Sequence, residues 1–201
     1  MIMGKKSYKK KFNFLLFKIF GIFLIIFILF VGLKMYSSQN TKHLGQNVSK
    51  DEFISIVGPI AQAQDKPYGL FPSVTIAQAC LESNFGQSTL AREYNNLFGV
   101  KGVNKATSKV LTTQEFVNGR WKTIHGRFQV YDSYEASIQA HTMLIVNGTN
   151  WNKNQYADVL AAKNYEEQAK ALQADGYATD PTYATKLISL IKQYNLTHYD
   201  N

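Results

Sequence analysis

The chain has 201 residues and a formal net charge of +8, yet residues 1–50 hold nine Lys and no Arg, Asp or Glu, while residues 51–201 hold 13 basic and 14 acidic side chains. The basic pI of 9.4 therefore belongs to the first quarter, which weakens nucleic-acid binding by the rest of the chain, where a basic face would be needed. A single cysteine, Cys80, excludes an intrachain disulfide or a multi-cysteine zinc site, and His43, His125, His141 and His198 lie too far apart for a HExxH-type metal motif.

The first predicted element is the apolar run at residues 14–33, FLLFKIFGIFLIIFILFVGL. Twenty helical residues span about 30 Å, the thickness of a bilayer's hydrocarbon core. Lys18 is its only charge, close enough to one end for its stem to snorkel. Five lysines (Lys5, Lys6, Lys9, Lys10, Lys11) precede the run, whereas Lys34, Lys42 and Lys50 are spread thinly after it. The positive-inside rule then predicts a single-pass anchor with a cytoplasmic tail at residues 1–13 and the remainder outside the cell. The alternative is a cleaved signal peptide and a secreted protein, but the run is long and no A-x-A site follows it. Residues 34–49 are polar and read as a tether, reaching on the order of 20 Å as a flexible coil.

Residues 50–201 read as one folded domain. Ser49 and Glu52 have the form of a capping box, with Phe53, Val57, Ile60 and Ala61 at helical spacing behind them. Gly58-Pro59 is expected to kink or interrupt that helix. After the turn-rich DKPYGLFPS a second helix is expected, N-capped by Ser73, with Val74, Ala77, Leu81 and Phe85 as its apolar stripe and Gly86 closing it. A short helix follows near Ser88–Tyr94. The period then changes: VLTTQEFV and RWKTIHGRFQVY are rich in β-branched and aromatic residues, and Asn118-Gly119 between them is a strong hairpin signal. Helical patterns return at Tyr134–Val146, Gln155–Ala162, Tyr165–Ala174 and Pro181–Tyr194, the last with Asp180 as N-cap and Pro181 at its first position. The fold class is α+β, mainly helical, with one small β insertion and no internal repeat.

On pattern alone the candidate acid is Glu82, at the C-terminal end of the apolar helix AQACLESNFG. It reads either as a solvated carboxylate on the helix's polar side or as a general acid. Apolar neighbours and the negative end of the helix dipole would both keep it protonated in the second case. No G-x-S-x-G elbow, Walker loop or acidic calcium loop occurs, and no cofactor or metal is implied.

The segments SVTIAQACLESNFGQSTLAREYNNLFGVKG, TTQEF, RFQVYDSYEASIQAH and GYATDPTYATKL, in that order and spacing, resemble the family-73 glycoside hydrolases. These are bacterial N-acetylglucosaminidases that cut peptidoglycan, of the flagellar and autolysin types, and the similarity covers about residues 50–195. The resemblance implies a lysozyme-like α+β domain in which a helical lobe and a small β-hairpin lobe enclose a groove for a glycan strand. Cys80 stands where such proteins more often have a small residue, which suits Cys as a small buried hydrophobe.

By the same resemblance Glu82 matches the catalytic acid and Glu115, in TTQEF, the β-lobe glutamate. Glycoside hydrolysis usually pairs an acid with a second carboxylate acting as base or nucleophile. Glu115 also reads as an outward-facing residue beside a turn, and attack by the substrate's own 2-acetamido group would need no protein nucleophile. Tyr177, in GYATD, matches the family's active-site tyrosine, and Tyr183, in PTYATKL, is a candidate for the groove lining. Each also reads as a core tyrosine with its hydroxyl at the surface. Asn95 and Asn96 lie in a groove-facing loop of the family, where an asparagine hydrogen-bonds an N-acetyl group or caps the turn. Phe98 reads as core, and Trp121 and Trp151 carry no motif.

The expectation is a monomeric, membrane-tethered peptidoglycan hydrolase, an endo-β-N-acetylglucosaminidase outside the cell. An N-acetylmuramidase and a lytic transglycosylase are the alternatives on the same fold. A wall-binding scaffold without activity is the alternative of another class.

Overall fold

The computed structural model describes residues 48–201, apart from Asn118 and Gly119 and the side chains of residues 113–122 and 124. The expected segment at residues 14–33 lies outside the described residues. Among the described residues no helix is long and apolar enough to cross a membrane.

Helix α1 (Lys50–Asp65) begins as its capping signal predicts, with Ser49 Oγ accepting the Glu52 N–H at 3.1 Å. Its buried face carries Phe53, Ile54, Val57 and Ala61. Pro59 does not interrupt it. The hydrogen bond that proline removes would have gone to the carbonyl of Ser55, and both residues are exposed, so water can satisfy that oxygen. Gly58 is buried against the Tyr199 ring, where a Cβ would come within 2.2 Å of Cζ.

Helix α2 (Pro72–Ser83) starts two residues earlier than expected, with Phe71 at the N-cap and Pro72 in the first turn. Ser73 is not the cap. Its N–H and its hydroxyl both donate to the Asp200 carboxylate, each at 2.8 Å, so a residue 127 positions away supplies the missing acceptor. Every residue from Pro72 to Cys80 is buried, which makes α2 a central helix rather than one with a single apolar stripe. It packs on α1 and on three later elements: α6 (Tyr165–Ala174), α7 (Tyr183–Gln193) and the terminal 3-10 turn Leu196–Tyr199. The helix closes at Asn84, not Gly86, and Asn84, Phe85 and Gly86 all adopt left-handed backbone, with φ of 50°, 54° and 75°. Ser83 Oγ accepts the Gly86 N–H at 2.7 Å and donates to the Ala79 carbonyl, tying this turn to the helix it ends.

Helix α3 (Thr89–Tyr94) lies where a short helix is expected, and Ser88 is its N-cap, its Oγ accepting the Ala91 N–H at 3.2 Å. Strands β1 (Ser108–Val117) and β2 (Arg120–Gln129) pair antiparallel, from Ser108 opposite Gln129 to Val117 opposite Arg120. The expected Asn118-Gly119 turn lies outside the described residues. Segment 100–102 is stitched to the open end of the hairpin by Gln129 N–H to Val100 O and Gly102 N–H to Arg127 O.

Helix α4 (Tyr134–Asn147) and α6 match their predicted spans, whereas α5 (Ala157–Ala161) is shorter than predicted. Helix α7 begins at Tyr183 instead of Pro181. The N-cap is Thr182, not Asp180, and no side chain caps the helix; Asp180 instead accepts the N–H and the hydroxyl of Thr182 in the turn before it. Phe53, Ile76, Leu97, Ile138, Leu187 and Leu196 lie in the shared core. The described fold is mainly helical α+β with one two-stranded sheet.

Candidate active site

Glu82 is the penultimate residue of α2, the helix buried on all sides, so its backbone is held by the core. Its side chain emerges into an open groove of about 890 Å³, whose walls include Phe98, Trp151, Tyr156, Tyr177 and Tyr183. Glu82 is an exposed residue, open to the groove, yet the surrounding protein desolvates its carboxylate enough to raise its pKa above the ordinary value. A hydrogen bond from Tyr183 pulls the other way and is the weaker influence.

Tyr183, in the first turn of α7, is 3% exposed, and its hydroxyl donates to Glu82 Oε1 at 2.9 Å. The Tyr183 hydroxyl oxygen in turn accepts from Gln78 Nε2 at 3.2 Å, one turn back from Glu82 on α2. Burial and the neighbouring Tyr177 and Glu82 push its pKa up, so the phenol is a fixed donor. Tyr177 is placed by the end of α6: Gly176 takes a φ of 81°, and the Tyr177 N–H returns to the Leu172 carbonyl at 2.9 Å. Its ring stacks on Tyr183 with centroids 5.8 Å apart and an interplanar angle of 23°. Its pKa is raised first by burial and then by the charge of Glu82. Tyr183 therefore touches the carboxylate by a direct hydrogen bond, while Tyr177 stacks on Tyr183 and feels the Glu82 charge without bonding to it.

The two asparagines do not line the groove. Asn95 is the left-handed cap of α3, and its Nδ2 donates to the Tyr131 carbonyl at 2.9 Å. Asn96 is 1% exposed; its Nδ2 donates to the carbonyls of Val100 and Gln129, and its Oδ1 accepts the Val100 N–H. Of the two roles that sequence leaves open for them, the turn-forming one is what the geometry displays. The backbone of Glu115 sits in β1 opposite Lys122, and its side chain lies outside the described residues.

Trp151 lies in none of the quoted segments, and the groove-side roles of Phe98, His141 and Lys186, though inside them, are not read from sequence. Trp151 stands on the groove wall, 83% exposed. Phe98 is core by burial, as expected, but also lines the groove, and it stacks on His141 with centroids 4.1 Å apart. His141 is 2% exposed, and neither ring nitrogen has a hydrogen-bond partner; burial pushes its pKa down to about 3, so the ring is neutral. At the groove mouth Lys186 pairs with Asp180 at 2.5 Å and holds that carboxyl down to about 2. Among the described residues no three His, Cys, Asp or Glu side chains gather into a metal site.

The geometry of Glu82, Tyr183 and the groove does not by itself name a family, and comparison with known proteins does. Residues 58–196 match the glucosaminidase family, described as mannosyl-glycoprotein endo-beta-N-acetylglucosaminidase. The chain belongs to this family. Its relatives include the exo-glucosaminidase LytG of Bacillus subtilis, 41% identical over 198 residues, covering 98% of this chain and 69% of LytG. A probable N-acetylmuramidase of Lactococcus lactis subsp. cremoris is 41% identical over 155 residues, covering 76% of this chain but only 35% of that protein. Among solved structures, the catalytic domain of the autolysin Auto from Listeria monocytogenes superposes with a TM-score of 0.70 at 36% identity, covering 84% of this chain and 97% of that one. The glucosaminidase fold seen here is thus the lysozyme-like one, and the match spans α2, the hairpin and α7.

Proposed function

We propose that this glucosaminidase hydrolyses the glycan strand of bacterial peptidoglycan at the β-1,4 bond on the reducing side of N-acetylglucosamine, with Glu82 as general acid. The observation that carries the reading is the Glu82 carboxyl itself. It lines an open groove of about 890 Å³, is raised above its usual pKa by desolvation, and accepts a hydrogen bond from the Tyr183 hydroxyl at 2.9 Å. A carboxyl whose pKa is raised by desolvation holds its proton to higher pH than an ordinary glutamate and can deliver it to the departing glycosidic oxygen.

The second carboxylate in this reading is Glu115, carried by β1 of the hairpin lobe, acting as base or nucleophile on the opposite face of the sugar. Tyr177 and Tyr183 form the polar aromatic wall at the reacting bond, where a phenol can donate to developing negative charge. One chain brings Glu82, Tyr177 and Tyr183 together, which supports action as a monomer. Residues 14–33 anchor the chain in the membrane, N-terminus inside, so the hydrolase works on the wall side of the bilayer.

The test is digestion of purified cell walls followed by borohydride reduction and mass spectrometry. Glucosaminitol ends are the expected product. Muramitol ends would replace the reading by the muramidase one that the lactococcal relative's name supports. Anhydromuramyl ends would mean a lytic transglycosylase. Glu82→Gln keeps an acceptor for Tyr183 but cannot act as the acid, and its zymogram should show no clearing. Clearing equal to the parent's would remove Glu82 from the mechanism.

A further inference from the structure

Among the described residues five large hydrophobic side chains are strongly exposed: Tyr68, Val103, Val110, Trp151 and Leu160. Of these only Trp151 lines the Glu82 groove. Leaving an indole in water forgoes a large apolar burial, and nothing in the core requires it.

The loop that carries it is closely tied. Gly148 enters with a φ of +67°, and a Cβ there would come within 2.4 Å of the Lys153 carbonyl oxygen. Thr149 is buried; its N–H and its hydroxyl both meet the Asn152 carbonyl, at 2.9 and 3.2 Å, and its oxygen accepts the Asn152 N–H at 3.0 Å. Asn152 Oδ1 then accepts the Asn154 N–H at 3.0 Å. The loop thus closes on itself between Thr149 and Asn152 and holds Trp151 at its tip.

We infer that Trp151 is a saccharide-stacking platform, taking the flat face of one N-acetylated pyranose of the glycan strand that lies over Glu82. The inference rests on the hydrolase reading above and assigns a binding residue to it. A β-1,4-linked pyranose with equatorial substituents turns axial C–H groups to both faces, an apolar surface that matches an indole plane. The same groove offers the Asp180–Lys186 pair for hydroxyl and acetamido groups at its mouth. A rigid aromatic anchor contributes ground-state binding along the strand rather than chemistry at the scissile bond.

The test uses the full chain. In the Glu82→Gln protein, titration with tetra-N-acetylchitotetraose should shift tryptophan fluorescence, and the shift should vanish when Trp151→Ala is added, although Trp121 is still present. In the otherwise unaltered enzyme, Trp151→Ala should raise KM for peptide-free glycan strands about tenfold with kcat nearly unchanged, which is the loss of roughly one aromatic contact. Trp151→Phe should recover most of the affinity. Circular dichroism and Tm should match the parent's, because the side chain is 83% exposed.

A fluorescence response that survives Trp151→Ala, an unchanged KM, or a response confined to peptide-bearing strands would overturn the platform while leaving hydrolysis intact. A parent chain that cleaves no glycan would instead sink the hydrolase reading, and the platform with it.

Discussion

The Tyr183 hydroxyl donates to Glu82 Oε1 at 2.9 Å while accepting from Gln78 Nε2 at 3.2 Å, so α2 and α7 are bridged at the candidate acid by one phenol. That bond lowers the Glu82 pKa against the stronger upward push of burial. In Tyr183→Phe only the push remains. The carboxyl then holds its proton to higher pH, and the basic limb of the kcat/KM profile should move up. Gln78, 1% exposed, is left with an unpaired donor, at a cost of about 1–3 kcal/mol that would appear as a lower Tm. A basic limb that stays put or moves down would show that the phenol does not govern the acid.

Asn96 separates a structural role from a substrate-binding one. Its amide ties Val100 and Gln129 together and so fixes the loop that carries Phe98 to the base of the hairpin. Asn96→Ala should lose about 2–4 kcal/mol, since three hydrogen bonds go and buried backbone groups are orphaned. For a domain of this size that is a Tm drop on the order of 5–15 °C. The measurement is thermal unfolding beside Michaelis kinetics below the transition. A KM increase at unchanged Tm would return Asn96 to the groove.

What could be read from sequence follows the range of the interaction behind it. Ser49 announces α1 because the cap and its N–H lie three residues apart. The hairpin was legible for the same local reason, its strands being joined across two residues. The start of α2 was misplaced because its acceptor, Asp200, lies 127 residues on. Pro59 is compatible with α1 only because its face is solvated, a tertiary fact no local pattern contains. Glu82 could be singled out from its helix, yet which tyrosine touches it could not, since the bond to Tyr183 spans 101 residues. Trp151 gave no signal at all: its loop has neither period nor motif.

Asp65 places a carboxyl at the buried end of α1, fully inaccessible, with Oδ1 accepting from Thr142 and Oδ2 unpartnered. Burial pushes its pKa from the usual 3.8 up to about 6. Between those values the folded state keeps a proton that the unfolded chain has released. Stability therefore falls as pH rises from about 4 to 6, by about 3 kcal/mol for this group alone. Asp65→Asn should remove that fall. Any fixed cost of an unpaired amide cancels when urea midpoints at pH 4 and pH 7 are compared within each protein. The variant's pH 7 midpoint should gain relative to its pH 4 midpoint; an unaltered difference would mean that Asp65 ionises freely.

His141 has the opposite sign in an overlapping window. Its ring lies between Phe98, stacked at 4.1 Å, and Tyr177, edge-on at 5.6 Å, with no partner for either nitrogen. Its pKa falls from the usual 6.5 to about 3, so below pH 6.5 the unfolded chain takes up a proton that the folded ring refuses. Stability is then lost as pH drops from 6.5 toward 3, by up to about 5 kcal/mol. His141→Phe keeps an aromatic on Phe98 and removes both the titration and the unpaired nitrogens. A larger ring costs about 1–3 kcal/mol of overpacking, the same at every pH. The expected result is a variant that loses less stability than the parent between pH 6.5 and 4. Because Asp65 partly masks this slope in the parent, the change should be clearest in an Asp65→Asn background. Parallel stability curves for the two proteins in that background would show that the imidazole is protonated as easily in the fold as in water.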